Sequence, residues 1–288
     1  MKKIKLSKNE DLNLKEGLDK FIRYCKIKNL SEDTIEYYKN SYNYFIEFLQ
    51  SEYSCDGTLM LSELTGRFIE EFTLWLGNTH KINNTSINTR LRGLRAFLYY
   101  LMEQELVGNF KICLLKSKDK IKKTYTNAEL KKLLKKPNLS QCSFAEYRNW
   151  VIINFLLATG IRARTLRNLK IKDVDIKEAV VFIREVKNRK EQIIPLSKSL
   201  VKILIDYLEY RKGESEDYLF CTIYSTKLKS SSLSSAIRKY NLKRVSKTSI
   251  HLFRHTFAKK WILKRGFFQM QKIKQYVEYL INTIKFKQ

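Results

Sequence analysis

The chain has little of what breaks or staples a polypeptide. Two prolines and nine glycines in 288 residues leave few enforced turns. That scarcity excludes collagen-like and low-complexity architectures and predicts a largely helical chain with few sharp loops. The five cysteines, Cys25, Cys55, Cys113, Cys142 and Cys221, are odd in number and widely spaced, with no Cys-x-x-Cys or Cys/His cluster. A disulfide scaffold and a zinc site are therefore excluded, and the thiols are expected to be small buried apolar residues in a reducing cytosol. Long apolar runs are missing too: nothing approaches about 18 residues, so no membrane span is expected. The opening MKKIKLSKNEDLN is basic but lacks the apolar stretch of a signal peptide. Acidic residues are the last scarcity, with 29 Asp and Glu against 56 Lys and Arg, a formal net charge of +27.

What is present bounds the rest. Hydrophobic residues at 44% and aromatics at 12% are too many for a disordered basic tail, so the chain folds around a real core. Its length suits two domains better than one. The surplus positive charge repels itself unless a polyanion neutralises it, and nucleic acid leads because each phosphate contact releases counterions. An anionic membrane surface, or Lys enrichment without function, would explain the charge less directly.

Residues 14–28 place Leu14, Leu18, Phe21, Ile22 and Cys25 on one helical face. Ser31 can cap a second helix carrying Ile35, Tyr38, Tyr42, Phe45 and Leu49. The polar stretch 51–60 reads as a loop, 66–76 as a third helix and about 84–104 as a fourth. Arg90, Arg92 and Arg95 interleave with the apolar stripe of that fourth helix and are candidate contacts to a DNA backbone. The basic, aperiodic stretch 114–124 looks like an interdomain linker. Thr126 and Glu129 form a capping box that opens a second domain near residue 124. Residues 144–159 are apolar on most sides and predict a central helix. Residues 179–183 and 192–196 are β-rich and flank a polar tip, which predicts a hairpin. A helix capped by Ser197, a short strand at 218–223, and helices near 233–241 and 251–265 complete a mainly α fold with a small antiparallel sheet.

Three features could carry chemistry. Arg162 follows Thr159-Gly160 at the end of the most apolar helix, an expensive place for a permanently charged guanidinium. Lys187 sits at the hairpin tip, eight residues before Pro195. His251, Arg254 and His255, in the stretch HLFRH, lie three and four apart and share one helical face. In this order, and with 25 residues from Arg162 to Lys187, the series resembles the tyrosine recombinase (phage integrase) family over nearly the whole chain. The resemblance implies a basic extension at 1–13, a helical core-binding domain at 14–106, a linker at 107–123 and a catalytic domain at 124–288. It also implies that Arg162 and Arg254 bind the scissile phosphate, Lys187 protonates the departing 5′-hydroxyl and His251 assists as a base or hydrogen-bonding partner. His255 is then a structural companion.

The nucleophile implied by the same resemblance is Tyr276, with Tyr279 as the alternative. In the family a Leu-Gly-His segment follows the HxxR helix, and this chain has no Gly-His after Arg254. Gln271-Lys272-Ile273 resembles the residues leading into that segment, yet runs directly into Lys274-Gln275-Tyr276-Val277. The 22 residues from Arg254 to Tyr276 are shorter than the family interval by about ten. Thr165 also stands where the family commonly has an acidic residue. The resemblance implies double-stranded DNA as partner, a homotetramer on two duplexes, no cofactor and no metal, in the cytoplasm. Two activities follow: a site-specific recombinase or integrase of a mobile element, or a decayed integrase that binds its sites without cutting them.

Overall fold

A computed structural model of the chain describes residues 12–55, 57–117, 123–184, 191–247 and 249–265. The chain divides into two compact units, one holding the described residues up to 117 and the other those from 123 onward.

The first unit is built from four helices, α1 (Leu14–Ile27), α2 (Glu32–Tyr53), α3 (Gly66–Thr79) and α4 (Asn84–Glu103). Side-chain caps start three of them. Asn13 and Glu16 exchange reciprocal bonds of 2.9 and 3.0 Å, Ser31 Oγ accepts from Thr34 N at 3.3 Å and Asn83 Oδ1 from Ser86 N at 3.0 Å. The core is aromatic: Phe45, Phe48, Phe72 and Trp75 pack with ring centroids 5.3–6.1 Å apart. Helices α2 and α4 cross closely at Gly93, where a Cβ would lie 2.1 Å from Ser41 Oγ. The loop expected at 51–60 starts later than its polarity suggested. Helix α2 runs to Tyr53, and Ser54 ends it in the left-handed conformation at φ 53°. Residues 112–116 lie along α4, where Asn88 exchanges two 2.8 Å bonds with the backbone of Leu115 and Asn84 donates to the Lys116 carbonyl.

The second unit comprises α5 (Asn127–Leu133), α6 (Phe144–Thr159), α7 (Ala163–Asn168), β1 (Val174–Asp175), β2 (Val180–Ile183), β3 (Gln192–Pro195), α8 (Lys198–Arg211), α9 (Ser230–Leu242) and α10 (His251–Arg265). The fold class expected from sequence holds: mainly α, with a small antiparallel sheet in the order β1-β2-β3. Helix α6 is central, with nine of its residues from Tyr147 to Leu156 buried, and α8, α9 and α10 pack on it.

Two expectations fail. No strand forms at 218–223; only isolated bridges join Tyr218 to Lys170 and Cys221 to Lys227. Side chains take the carbonyls a neighbouring strand would need. Arg211 donates to the Tyr218 carbonyl, the Tyr207 hydroxyl to that of Leu219 (3.1 Å) and Arg148 to that of Cys221 (2.6 Å). The cysteines also differ: Cys25 and Cys221 are buried, but Cys55 and Cys142 are half-buried and Cys113 is exposed. Cys113 follows the buried Ile112 in the extended stretch along α4, where alternate residues face outward.

Candidate active site

The site is built where α6 ends. Gly160 caps that helix in the left-handed region (φ 62°) and donates its N–H to the Leu156 carbonyl at 2.9 Å. A side chain there is excluded twice, by the backbone conformation and by Phe257, whose Cδ1 would lie 2.2 Å from a Cβ. After the buried Ile161, the chain extends at Arg162 (φ −76°, ψ 150°), which is the N-cap residue of the six-residue α7. Arg162 is half-buried.

Helix α10 brings the second arginine. It packs against α6, and Arg254 Nη1 donates a short hydrogen bond to the Gly160 carbonyl, two residues before Arg162. Residues 94 apart in sequence thus meet at one helix terminus. His251 is the exposed first residue of α10, one turn before Arg254, and the half-buried His255 follows Arg254 directly, one turn after His251. A guanidinium at a helix C-terminus is favourably placed against the carbonyl end of the dipole. The permanent charges of Arg162 and Arg254 make the α6–α7 corner a place where an anion can be clamped.

The N-terminal turn of α10 is fixed from below by Tyr125. Its N–H donates to Thr256 Oγ1 at 2.9 Å, its ring lies 4.8 Å from that of Phe253, and its hydroxyl accepts from Asn241 Nδ2 at 2.9 Å. Burial pushes this phenol far above the ordinary tyrosine range, so it stays protonated. Lys247, four residues before His251, donates to the Thr124 carbonyl (2.9 Å) and to Glu129 (3.0 Å).

Lys187 and Tyr276, with the alternative Tyr279, lie outside the described residues. The stem of the hairpin is set on both sides of 185–190: Ile183 pairs with Gln192, and Arg184 Nε donates to the buried Asp173 at 3.1 Å. Of the five catalytic candidates, the structure therefore positions Arg162, His251 and Arg254. Among the described residues, no three His, Cys, Asp or Glu side chains group as metal ligands.

The three arginines of α4 do not form one row. At 100° per residue, Arg92 and Arg95 share a side while Arg90 points away from it. Arg90 stacks 4.1 Å over the Tyr44 ring and donates to its hydroxyl at 3.2 Å. It also borders a surface groove lined by Glu32, Asp33 and Glu36. Arg95 lies 5.9 Å over Tyr99.

Sequence reading missed the supports of this site. Arg148 is 5% exposed inside α6, and burial holds its basicity below the usual arginine range. Arg167 on α7 donates to the Leu228 carbonyl at 3.3 Å. An arginine inside an otherwise apolar helix was the available signal for the first; the second had none.

Residues 123–277 match the Phage integrase family, and residues 18–107 match the Phage integrase N-terminal SAM-like domain. The chain is 28% identical over 254 residues to the tyrosine recombinase XerC of Leptospira interrogans, covering 85% of this chain and 80% of the relative. Its fold is similar to the Tn1549 transposon integrase solved with transposon right end DNA (TM-score 0.67, 19% identity, 86% of each chain). It is similar as well to a lambda integrase dimer bound to a COC′ core site (TM-score 0.68, 15% identity, 93% of this chain and 94% of that one). With the family's match covering more than half of its length and two arginines converging at the end of α6, the chain belongs to the phage integrase family, the tyrosine recombinases, whose activity class is site-specific DNA recombination.

Proposed function

We propose that this protein is the recombinase of a mobile element, acting on double-stranded DNA in the cytoplasm through a 3′-phosphotyrosyl intermediate. The observation that carries the reading is the hydrogen bond from Arg254 to the Gly160 carbonyl, which puts one arginine beside the corner where Arg162 starts α7. Two planar, permanently charged groups there suit the non-bridging oxygens of a phosphodiester and the charge that grows on them in the transition state. The Tyr276 phenol oxygen attacks phosphorus, the bond from phosphorus to the 5′-oxygen breaks, and Lys187 delivers a proton to that oxygen. His251, one turn before Arg254, accepts the phenol proton or orients the phosphate. The new ester conserves the phosphodiester energy, so reversal on a partner strand needs no cofactor. Arg92 and Arg95 contact phosphates through the first unit, with a smaller share from Arg90, whose guanidinium Tyr44 already engages. The likeness to a transposon integrase supports a mobile-element role, and a homotetramer on two duplexes would exchange the strands.

One observation favours a second reading. The chain lacks a Gly-His between Arg254 and Tyr276. Loss of a charge-stabilising donor costs roughly 10²–10³ in rate, and a nucleophile misplaced by about 1 Å costs on the order of a hundredfold. In that reading the protein occupies its sites without cutting them. Covalent trapping separates the two. The protein is incubated with labelled, nicked duplexes carrying the ends of its element, and denaturing gels are scanned for a shifted protein–DNA band. A band lost in Tyr276→Phe and kept in Tyr279→Phe establishes the recombinase. Native-gel binding with no covalent band establishes the binding-only protein.

A further inference from the structure

The segment 221–228 ends in a turn of unusual composition. Cys221 and Lys227 are bridged, the Thr222 N–H donates to the Thr226 carbonyl at 2.8 Å, and the Ser225 N–H donates to the Thr222 carbonyl at 3.1 Å. Thr222 Oγ1 accepts from the N–H groups of Tyr224 and Thr226, both at 3.2 Å, and lies 2.7 Å from Thr226 Oγ1. Ser225 takes the left-handed conformation (φ 59°), as the third residue of a three-residue hairpin loop does. The two central positions, normally filled by Pro, Asn, Asp, Ser or Gly, hold Ile223 and Tyr224, which are 63% and 80% exposed. A tip held by this many hydrogen bonds cannot fold its apolar side chains inward, so they stand in water.

Arginines of two helices anchor the stem. Arg148, from α6, holds the Cys221 carbonyl at one end, and Arg167, from α7, holds the Leu228 carbonyl at the other. Arg167 lies five residues beyond Arg162, roughly 7 Å along the axis of that short helix. The Leu228 end of the stem is thus held by the helix that Arg162 starts. The sequence that carries it is of one charge sign: from Tyr218 to Val277 it has 14 Lys and Arg and no Asp or Glu. The nearest acidic turn upstream is engaged, with Glu216 paired to Lys170 (2.9 Å) and Lys172 (2.5 Å), and Asp217 lying 3.7 Å from Arg211. Exposed apolar residues in a cationic stretch of sequence without Asp or Glu fit a polyanion with an apolar interior edge.

We infer that Ile223 and Tyr224 form a wedge that enters a groove of duplex DNA beside the cleaved phosphate and contacts bases there. Apolar side chains read thymine methyl groups in the major groove or partly unstack a step in the minor groove. This rests on the reading of the chain as a binder of duplex DNA, and it is independent of whether Tyr276 cleaves.

The test compares the protein with an Ile223→Ser, Tyr224→Ser double variant in duplex binding over a series of salt concentrations. Ile27→Ser, at a 73% exposed apolar position of the first unit, controls for loss of surface apolarity. The wedge requires affinity on the order of tenfold weaker in the double variant, with an unchanged slope of log Kd against log salt because no phosphate contact is lost. It also requires an unchanged melting temperature and no effect of Ile27→Ser. Shortening the duplex on the wedge side should bring the two proteins to equal affinity. Equal affinity on long duplexes overturns the wedge, and so does a lower salt slope. Normal binding to one duplex with failure to pair two protomers also overturns it, placing the tip against a second copy of this chain. If the unaltered protein binds no duplex, the parent reading falls with it; if it binds but makes no covalent band, only the cleavage claim falls.

Discussion

The two units bury very different side chains. In the first, Ser41 and Asn88 are the buried polar residues among those described, and the rest of the core is aliphatic and aromatic. In the second, Arg148, Asn149, Asp173, Arg211 and Asn241 lie inside with Thr159 and Thr256. The first unit satisfies its backbone within long helices, so apolar stripes suffice to hold it. The second contains irregular connections at 160–162, 212–229 and 243–247, several of whose carbonyls are satisfied by side chains. Arginine suits that task because its planar fork reaches several acceptors at once. The same connections carry the candidate-site corner and the exposed tip, so the unit that holds the candidate site depends on buried polar groups for its shape.

The largest effect that would test this contrast comes from Arg148→Ala. It strands the Cys221 carbonyl and Asn149 Oδ1 inside the core and should cost about 3 kcal/mol. Calorimetry or pulse proteolysis should show the second unit melting earlier while the first is unchanged. A loss below about 1 kcal/mol, or an equal shift in both units, would break the comparison. Next is Gly160→Ala. A Cβ meets Phe257 at 2.2 Å and strains a φ of 62°, displacing the carbonyl that holds Arg254. Phosphotyrosyl formation should fall on the order of a hundredfold with a much smaller change in duplex affinity. Equal losses in the two would mean that the corner only binds.

In the first unit the corresponding weak point is steric. Gly93→Ala sets a Cβ 2.1 Å from Ser41 Oγ and 2.6 Å from its Cβ, forcing α2 and α4 apart at about 1–3 kcal/mol. Ser41→Gly in the same chain should recover most of that loss, a coupling that a double-mutant cycle of melting curves measures. Additive losses would show that the helices do not meet there as described.

The contrast also explains how much the sequence disclosed. Helices α1 to α4 repeat apolar residues at three and four, and Ser31 marks the start of α2, so the first unit was readable from periodicity. Helix α6 was readable as central because it is apolar on most sides. The stretch 218–223 was not: its β-like run Tyr-Leu-Phe-Cys gives no sign that Arg148, Tyr207 and Arg211, from 7 to more than 70 residues away, take its carbonyls. Helix α7 was missed because six residues are too few to show a period. For the site, Arg162 and the HLFRH stretch were legible as chemistry and the family resemblance implied that they converge, but the Gly160 carbonyl as the point of contact was not legible. That contact joins residues 94 apart through a backbone carbonyl, which no side-chain pattern encodes.

The smallest expected effect sits where the chain enters the second unit. Glu129 accepts from the Thr126 N–H at 2.7 Å and from Lys247 at 3.0 Å, and these bonds, the backbone one foremost, hold its carboxyl below the ordinary carboxylate range. A group whose acidity is strengthened by folding stabilises the fold while it is ionised in both states. That contribution is full above the ordinary glutamate range and disappears as the pH falls through the lowered folded value. The carboxylate is partly solvated, with 19% of its side chain exposed, so the increment should stay under about 1 kcal/mol. Melting the second unit between neutral pH and pH about 3, with and without Glu129→Gln, isolates it from Glu216, whose carboxyl Lys172 and Lys170 lower to about 2. The curves should converge at the acid end and separate at neutral pH, with the variant the less stable. Curves parallel across the whole range would mean that the carboxylate's charge adds nothing, and that Thr126 caps α5 through its own hydroxyl alone. Convergence would show that the turn leading into His251, held by Lys247, draws on the same ionised group that starts α5.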